Sequence, residues 1–491
     1  MVRKFRSHRH LGIAILGAGF GGVGLGARLT GRGRDDFRIF ERADGVGGTW
    51  WRNRYPGCAC DVPSHLYSLS FRPNPDWTRR FAPRAEIQAY LERIVDEYAL
   101  SDRLELGNGI ATARWDDAAR CWRLRDERGQ AWTADVLVSA IGGLSRPSVP
   151  DIKGLGGFDG PVFHSARWDD SVALAGRRVA VIGTGASAAQ FVPGIAPEVA
   201  RLDVYQRTPH WILPRPDRAI GRRRRALYRR LPWLQKLARF GVWLISEARV
   251  PGLAWSSRLA AGHRWLANRH RRRQVPDSDL RAKLTPDYDI GCKRVILSDD
   301  FYPALMRDHV ELVDAGIDRI EAGAIVDRQG RRRATDVIIL GTGFRATDPV
   351  PDGVIIGRAG IDLGRAWREG PEAWRGVAVA GFPNLFMLMG PNTALGHNSV
   401  ILMIEAQIGF ILDALDWRER HGRPVLEVTD TAQRRYNDWL QRRLAGTVWN
   451  SGGCSSWYLH PASGRNTTLW PGFTWQYRRL MRRFEPAAFG G

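Results

Sequence analysis

The chain has 491 residues, 44% of them apolar and 25% charged. That length can bury a large core and implies a globular, soluble protein of two or three domains. Its formal net charge of +22 raises nucleic-acid binding. However, the arginine runs Arg222 to Arg225, Arg229-Arg230, Arg271 to Arg273 and Arg331 to Arg333 come with no helix-turn-helix, zinc-finger or aromatic RNA-binding pattern. They read as solvated faces that also attract polyphosphate cofactors, with no nucleic-acid partner.

Cys58, Cys60, Cys121, Cys292 and Cys454 are odd in number and lack C-x-x-C pairs. That spacing argues against a disulfide framework and a zinc site, and suits a reducing cytoplasm without a metal centre. Arg3, Lys4 and Arg6 before Leu11 to Leu16 imitate a secretory leader. The apolar run is short and enters Gly17-Ala18-Gly19 directly, so a buried first strand is expected instead. No stretch approaches the ~20 apolar residues of a membrane-spanning helix.

In chain order, Ile13 to Leu16 predicts a strand, Gly17-Ala-Gly19-Phe20-Gly-Gly22 a turn, Val23 to Leu29 a helix and Phe37 to Phe40 a second strand ending at Glu41. The order is that of a dinucleotide fingerprint. One glycine allows the tight turn, the next lets backbone approach a pyrophosphate, the third lets helix and strand pack, and the acid accepts from ribose hydroxyls. Gly47-Gly48-Thr49-Trp50-Trp51-Arg52 follows, then Asp61, a candidate site acid for which an ordinary loop acid or a helix cap before Val62-Pro63-Ser64 is the lesser alternative.

Phe158-Asp-Gly160-Pro-Val-Phe-His164-Ser-Ala-Arg-Trp168-Asp169 has the rare form FxGxxxHxxxW plus an acid. A second fingerprint begins with the strand Arg178 to Ile182 and the turn Gly183-Thr184-Gly185-Ala186-Ser187-Ala188, with a helix starting near Ala189. Its second strand, Leu202 to Tyr205, ends in Gln206-Arg207-Thr208 where an acid would select NADH. A guanidinium and a hydroxyl there suit the 2′-phosphate of NADPH.

Between Arg215 and Asp289 lies a basic, helix-prone insertion. Leu227, Leu231, Leu234, Leu237, Phe240, Trp243 and Leu244 recur in it at three-to-four spacing, interrupted by Pro232. The stripe is expected to pack on its own domain, with weak membrane-surface contact as the other possibility. Gly291-Cys292-Lys293-Arg294 follows. Ala334 to Phe344 is a strand and glycine turn echoing Asp135 to Gly142, as happens when one dinucleotide domain is inserted into another. Phe382 to Asn398, Val448-Trp449-Asn450, Ser456-Trp457-Tyr458, Gly464-Arg465-Asn466 and Trp470-Pro471-Gly472 complete the motifs.

These segments resemble the type I Baeyer-Villiger monooxygenases, class B flavin-dependent monooxygenases, over about residues 10 to 485. The resemblance implies an α/β fold of two Rossmann-like three-layer dinucleotide-binding domains. The FAD-binding domain would be discontinuous, 1–145 and 345–491. The NADPH-binding domain would be 146–344, with the helical insertion at about 215–289. It implies a cofactor-binding set of Gly17, Gly19, Phe20, Gly22, Glu41, Gly48, Thr49, Trp50, Asp61, Tyr67 and Asn392, then Gly183, Thr184, Gly185, Ala186, Ser187, Ala188, Arg207, Thr208, Lys293 and Trp449. Trp51-Arg52 replaces the family's commoner Tyr-Trp pair, so one pocket wall differs.

Phe158, Gly160, His164, Trp168 and Asp169 would be the linker joining the two domains near the cofactors. Arg294 would be catalytic, oriented by Asp61 through a bidentate pair. It would stabilise an anionic C4a-peroxyflavin and its tetrahedral adduct. The implied reaction inserts one atom of O₂ beside the carbonyl of a small ketone, giving an ester or lactone. Sulfur or nitrogen oxygenation is the alternative, and the protein would be a monomer or homodimer.

Overall fold

The computed structural model describes residues 9–490; Arg3, Lys4 and Arg6 lie outside them. The strand Arg9–Leu16 lies inside an eight-stranded sheet, because its apolar run Ile13 to Leu16 is buried on both faces. Across that sheet the order is Ile355–Ile356, Ile110–Asp116, Cys121–Asp126, Ala131–Ser139, Arg9–Leu16, Phe37–Phe40 and Leu104–Glu105. Leu385–Met387 is added along Ala131–Ser139. Leu16 pairs in register with Phe40 on one side and Ser139 on the other, both parallel, so three strands end together where Gly17 begins the turn. Helix Phe20–Thr30 starts three residues before its predicted beginning and packs its small-residue face on helix Ile401–Arg420.

A second, five-stranded parallel sheet runs Val310–Val313, Arg201–Tyr205, Arg178–Ile182, Val337–Leu340 and Val162–His164. All its strands fall between the exit from the first sheet after Ser139 and the return at Ile355. The molecule therefore has two Rossmann-like α/β units, the first discontinuous in sequence. Beside the second sheet stands the antiparallel meander Ile317–Glu321, Ala324–Asp327 and Arg332–Ala334.

Two expectations are corrected here. The run Arg331 to Arg333 is not a freely solvated face: Arg333 is buried between Asp327 at 2.7 Å and Glu311 at 2.5 Å, and Arg332 pairs with Glu321 at 2.8 Å. The insertion is helical, with Arg222–Arg230, Pro232–Glu247, Val250–Ala254, Ala261–Gln274 and Ser278–Lys283. Pro232 opens its second helix, at the position where a missing amide hydrogen is harmless. Yet Leu237, Phe240 and Leu244 face solvent instead of packing on the domain. The polar residues Gln235, Ser246 and Glu247 of the same helix are the buried ones.

Candidate active site

Both glycine turns open at the carboxyl ends of central strands, and between them lies a cavity of about 2110 Å³. Single-ligand pockets are roughly 300–1,000 Å³, so this one has room for two dinucleotides and a substrate. At the first turn Gly17 has φ +104°, and a Cβ there would stand 2.7 Å from the Ala140 carbonyl oxygen. Only glycine fits. At the second turn a Cβ on Gly185 would meet nothing within 4 Å; that open space faces the cavity, as a pyrophosphate cradle requires. Glu41 is buried, accepting from the Ala18 and Ala43 amides at 2.9 and 2.8 Å, which leaves acceptor capacity for ribose hydroxyls. The residues present fit two dinucleotide cofactors.

Gly19, Phe20, Gly48, Thr49, Trp50 and Tyr67 line the cavity with Glu41 and Asp61. The Trp50 indole nitrogen donates to the Tyr67 hydroxyl at 3.2 Å, and Phe20 meets the Tyr67 ring edge-on. Gly22 packs directly under Gly17 and does not line it. On the other side Thr184, Gly185, Ala186 and Ser187 line it, while Ala188 packs against Gly341.

The Lys293 ammonium donates to Thr208 Oγ1 at 2.7 Å and sits 4.9 Å from the Tyr288 ring centroid. Arg207 is exposed at the same wall. Burial, with the nearby Arg207 charge, holds the Lys293 pKa below the ordinary lysine value. The charge of Asp287 opposes this shift without outweighing it. His210, absent from the sequence reading, completes the wall. Burial, Lys293 and Arg207 lower its pKa to about 4, so it is neutral at physiological pH.

Arg294 and Asp61 meet across 233 residues of sequence. The Arg294 Nε and Nη2 both lie 2.7 Å from Asp61 Oδ2. They converge on one oxygen, so the pair differs from the expected two-oxygen fork. Arg294 Nη1 donates to the Leu395 carbonyl at 3.3 Å. Burial alone would raise the Asp61 pKa, but the charge and hydrogen bonds of Arg294, helped by Arg215, bring it below the usual carboxylate value. Arg294 is pushed above the usual guanidinium value, first by the Asp61 charge. The ion pair persists across the working pH range.

Other predicted residues stand back from the cavity. Asn392, in left-handed conformation, donates from its side-chain amide to the Asn466 and Leu469 carbonyls at 2.7 and 3.2 Å, fixing the turn after Met387. Trp449 is buried against Gly396. Within the linker motif, Gly160 lies against the Asp336 carbonyl and Phe158 packs on the second sheet's core. His164 is buried with its ring 5.8 Å from Phe344, and Trp168 packs between Phe163 and Phe191. Asp169 is exposed and caps Ser171. The motif supports the cavity wall at Gly341 to Phe344 from behind.

Two ties escaped sequence reasoning. Gln190, on the helix after the second turn, bonds the Tyr55 hydroxyl and both backbone groups of Ala59. The expectation of unpaired cysteines fails for Cys292 and Cys454, which form a disulfide across 162 residues, beside Lys293 and at the cavity rim. Spacing rules address local frameworks and cannot register a pair made by tertiary proximity. Cys58, Cys60 and Cys121 are free and buried. Among the described residues no group of three or more His, Cys, Asp or Glu could hold a metal ion, and no helix is long and apolar enough to cross a membrane.

Comparison with known proteins decides the family. A model of the NAD(P)-binding Rossmann-like domain matches residues 15–83, and one described as L-lysine 6-monooxygenase/L-ornithine 5-monooxygenase matches residues 76–213. A Baeyer-Villiger monooxygenase of Pseudomonas aeruginosa is 53% identical, covering 98% of this chain and 91% of its own. Another from Streptomyces coelicolor is 48% identical, covering 100% and 94%. This chain belongs to the Baeyer-Villiger monooxygenases. The fold of this monooxygenase agrees: cyclohexanone monooxygenase from Rhodococcus sp. Phi1 bound to NADP+ superposes with a TM-score of 0.86 at 27% identity, covering 97% of each chain. It is an NADPH-dependent flavin enzyme using FAD, and sulfur or nitrogen oxygenation is not favoured.

Proposed function

We propose that this monooxygenase converts a small ketone, O₂, NADPH and a proton into an ester or lactone, NADP+ and water, with Arg294 as the catalytic cation and Asp61 as its positioning residue. We assign FAD to 1–145 and 345–491, and NADPH to 146–344. When bound, the cofactors supply the reducing equivalents and the oxygen-transfer chemistry. The chain's own residues do the rest. Gly17, Gly19 and Glu41 would hold one dinucleotide, with Gly48, Thr49, Trp50 and Tyr67 beside its redox end. Thr184 to Ser187 would hold the other, with Arg207, Thr208 and Lys293 around its 2′-phosphate.

The observation that carries this reading is the Arg294 to Asp61 pair, set in one cavity between the two glycine turns. A guanidinium stays protonated at every working pH. Held at a fixed position, in a cavity from which bound cofactors and substrate would displace water, it would stabilise negative charge on the attacking oxygen and on the carbonyl oxygen as the ketone becomes tetrahedral. Asp61 keeps it aimed without cancelling its other donors.

Arg294→Ala in the FAD-loaded enzyme is expected to retain yellow colour and NADPH oxidation, and to lose ester or lactone formation by ~10²–10³-fold. The consumed reducing equivalents then appear as hydrogen peroxide. Normal product yield from that variant would remove Arg294 from the mechanism.

A further inference from the structure

Helix Pro232–Glu247 carries its polar face inward. Gln235 donates to the Asn74 carbonyl at 2.6 Å, and Arg239 donates to the carbonyls of His65, Leu66 and Ser68 at 2.7, 3.1 and 2.9 Å. Trp243 donates to the Thr474 hydroxyl at 2.9 Å, and Glu247 accepts from Asn398 and Thr474. The outward face is apolar. Trp233, Leu237, Phe240 and Leu244 are 59%, 58%, 54% and 54% exposed, and their spacing of four, three and four residues places them on a single stripe. Contiguous exposed apolar surface of this kind marks an interaction site.

Its charges select the partner. The preceding helix exposes Arg222, Arg223 and Arg230, and Lys236 lies within the stripe's own helix. Arg229 pairs with Asp76 and Arg239 with Glu405. Among the described residues, none of Arg222, Arg223, Arg230 and Lys236 has a carboxylate at ion-pair distance. A second copy docked through this face would bring the same cations together. An anionic phospholipid surface meets both needs, with acyl chains for the stripe and phosphates for the cations. We propose that the stripe on Pro232–Glu247 and its flanking arginines dock this enzyme on an anionic lipid bilayer.

The position suits delivery of apolar ketones dissolved in the bilayer. The next helix, Val250–Ala254, packs on Val448–Ser451, and the exposed Trp255 meets Phe473 edge-on at 5.7 Å. These segments flank Cys454 to Trp457 at the cavity rim. Only this delivery role rests on the ketone reading; docking itself does not.

The test is flotation of the FAD-loaded full-length protein with vesicles of phosphatidylcholine, alone or mixed with phosphatidylglycerol. The protein is expected to float with the mixed vesicles and to be released as salt rises. Leu237→Gln with Phe240→Gln, both solvent-exposed, should weaken binding ~10-fold or more, and each of Arg222→Gln and Arg223→Gln about 5-fold. All these variants should oxidise a water-soluble ketone at the wild-type rate. Failure to float, or flotation indifferent to the Leu237 and Phe240 changes, overturns the proposal. So does a sedimenting dimer that the double variant dissociates, which gives the face to a second copy. A wild-type protein that floats but yields no ester overturns the ketone reading and leaves docking standing.

Discussion

Lys293 and Thr208 come from segments 85 residues apart and meet at 2.7 Å, with Arg207 contributing a second charge beside them. Burial first, and the Arg207 charge second, hold the Lys293 pKa below its ordinary value against the opposing charge of Asp287, so this wall of the cavity carries two cations to which an anionic ligand could be drawn. On the reading proposed above, the 2′-phosphate of NADPH would be that anion, and NADH lacks it. Arg207→Ala is therefore expected to raise the KM for NADPH by ~10-fold or more, the equivalent of losing one charge-assisted hydrogen bond of about 1.5–3 kcal/mol, and to leave NADH use unchanged. Equal loss with both cofactors would make Arg207 a residue of folding. The place of Arg207 and Thr208 on the cavity wall was legible because they follow closely on the strand Arg201–Tyr205, and a strand end fixes which residues face the cleft. Lys293 was reached only by resemblance. His210 was not reached at all, since a solitary histidine carries no spacing rule; what distinguishes it is burial next to two cations.

The elements show a similar division. Both strand-turn-helix units were legible because the positive φ at Gly17 and Gly183 is a local requirement, although the carbonyl beside each comes from a distant segment. Each has positive φ and lies against a carbonyl oxygen from the neighbouring strand's end, Ala140 or Gly341. The insertion was legible as helical, but not in its orientation. Three-to-four periodicity identifies an apolar stripe without saying whether protein or something else covers it. The decisive residues were polar. Glu247, at the inner end of helix Pro232–Glu247, accepts from Asn398 Nδ2 at 2.6 Å, from Thr474 Oγ1 at 2.8 Å and from the Thr474 amide at 3.0 Å, with His397 Nε2 at 3.6 Å. One buried carboxylate thus joins the insertion to the turn after Gly396 and to the C-terminal segment. Glu247→Ala should destabilise the holoenzyme by about 1–3 kcal/mol, because it leaves buried donors without an acceptor; Glu247→Gln should lose less. Equal thermal midpoints for wild type and the alanine variant would show that the network closes without Glu247.

At the scale of the molecule, the two sheet units are joined by polar contacts that no linear motif announces: Asp61 with Arg294, Gln190 with Ala59, Arg215 with the Cys60 carbonyl, and Arg79 with Asp217. Arginines dominate these junctions, so part of the +22 charge is structural. Histidines buried among them make the assembly acid-sensitive. Burial, with Arg224 and Arg239 nearby, lowers His65 to about 4, and its ring lies edge-on to Tyr228 of the insertion at 5.0 Å. His210 is lowered to about 4 in the same way. Each folded pKa lies below the ordinary value of about 6.5, so the unfolded chain binds the proton first. The stability tied to each histidine is complete above pH ~6.5 and is lost as pH falls toward 4, on the order of 3 kcal/mol per site. Asp61, also lowered, surrenders its share only below the ordinary carboxylate value, in a separate and more acidic window. Unfolding midpoints of the FAD-loaded protein should therefore hold steady above pH ~6.5 and drop between 6.5 and 4. His65→Asn should remove about one proton from the slope in that interval. An unchanged slope in that variant would mean that His65 takes up its proton without opening the contact between the insertion and the first sheet's unit.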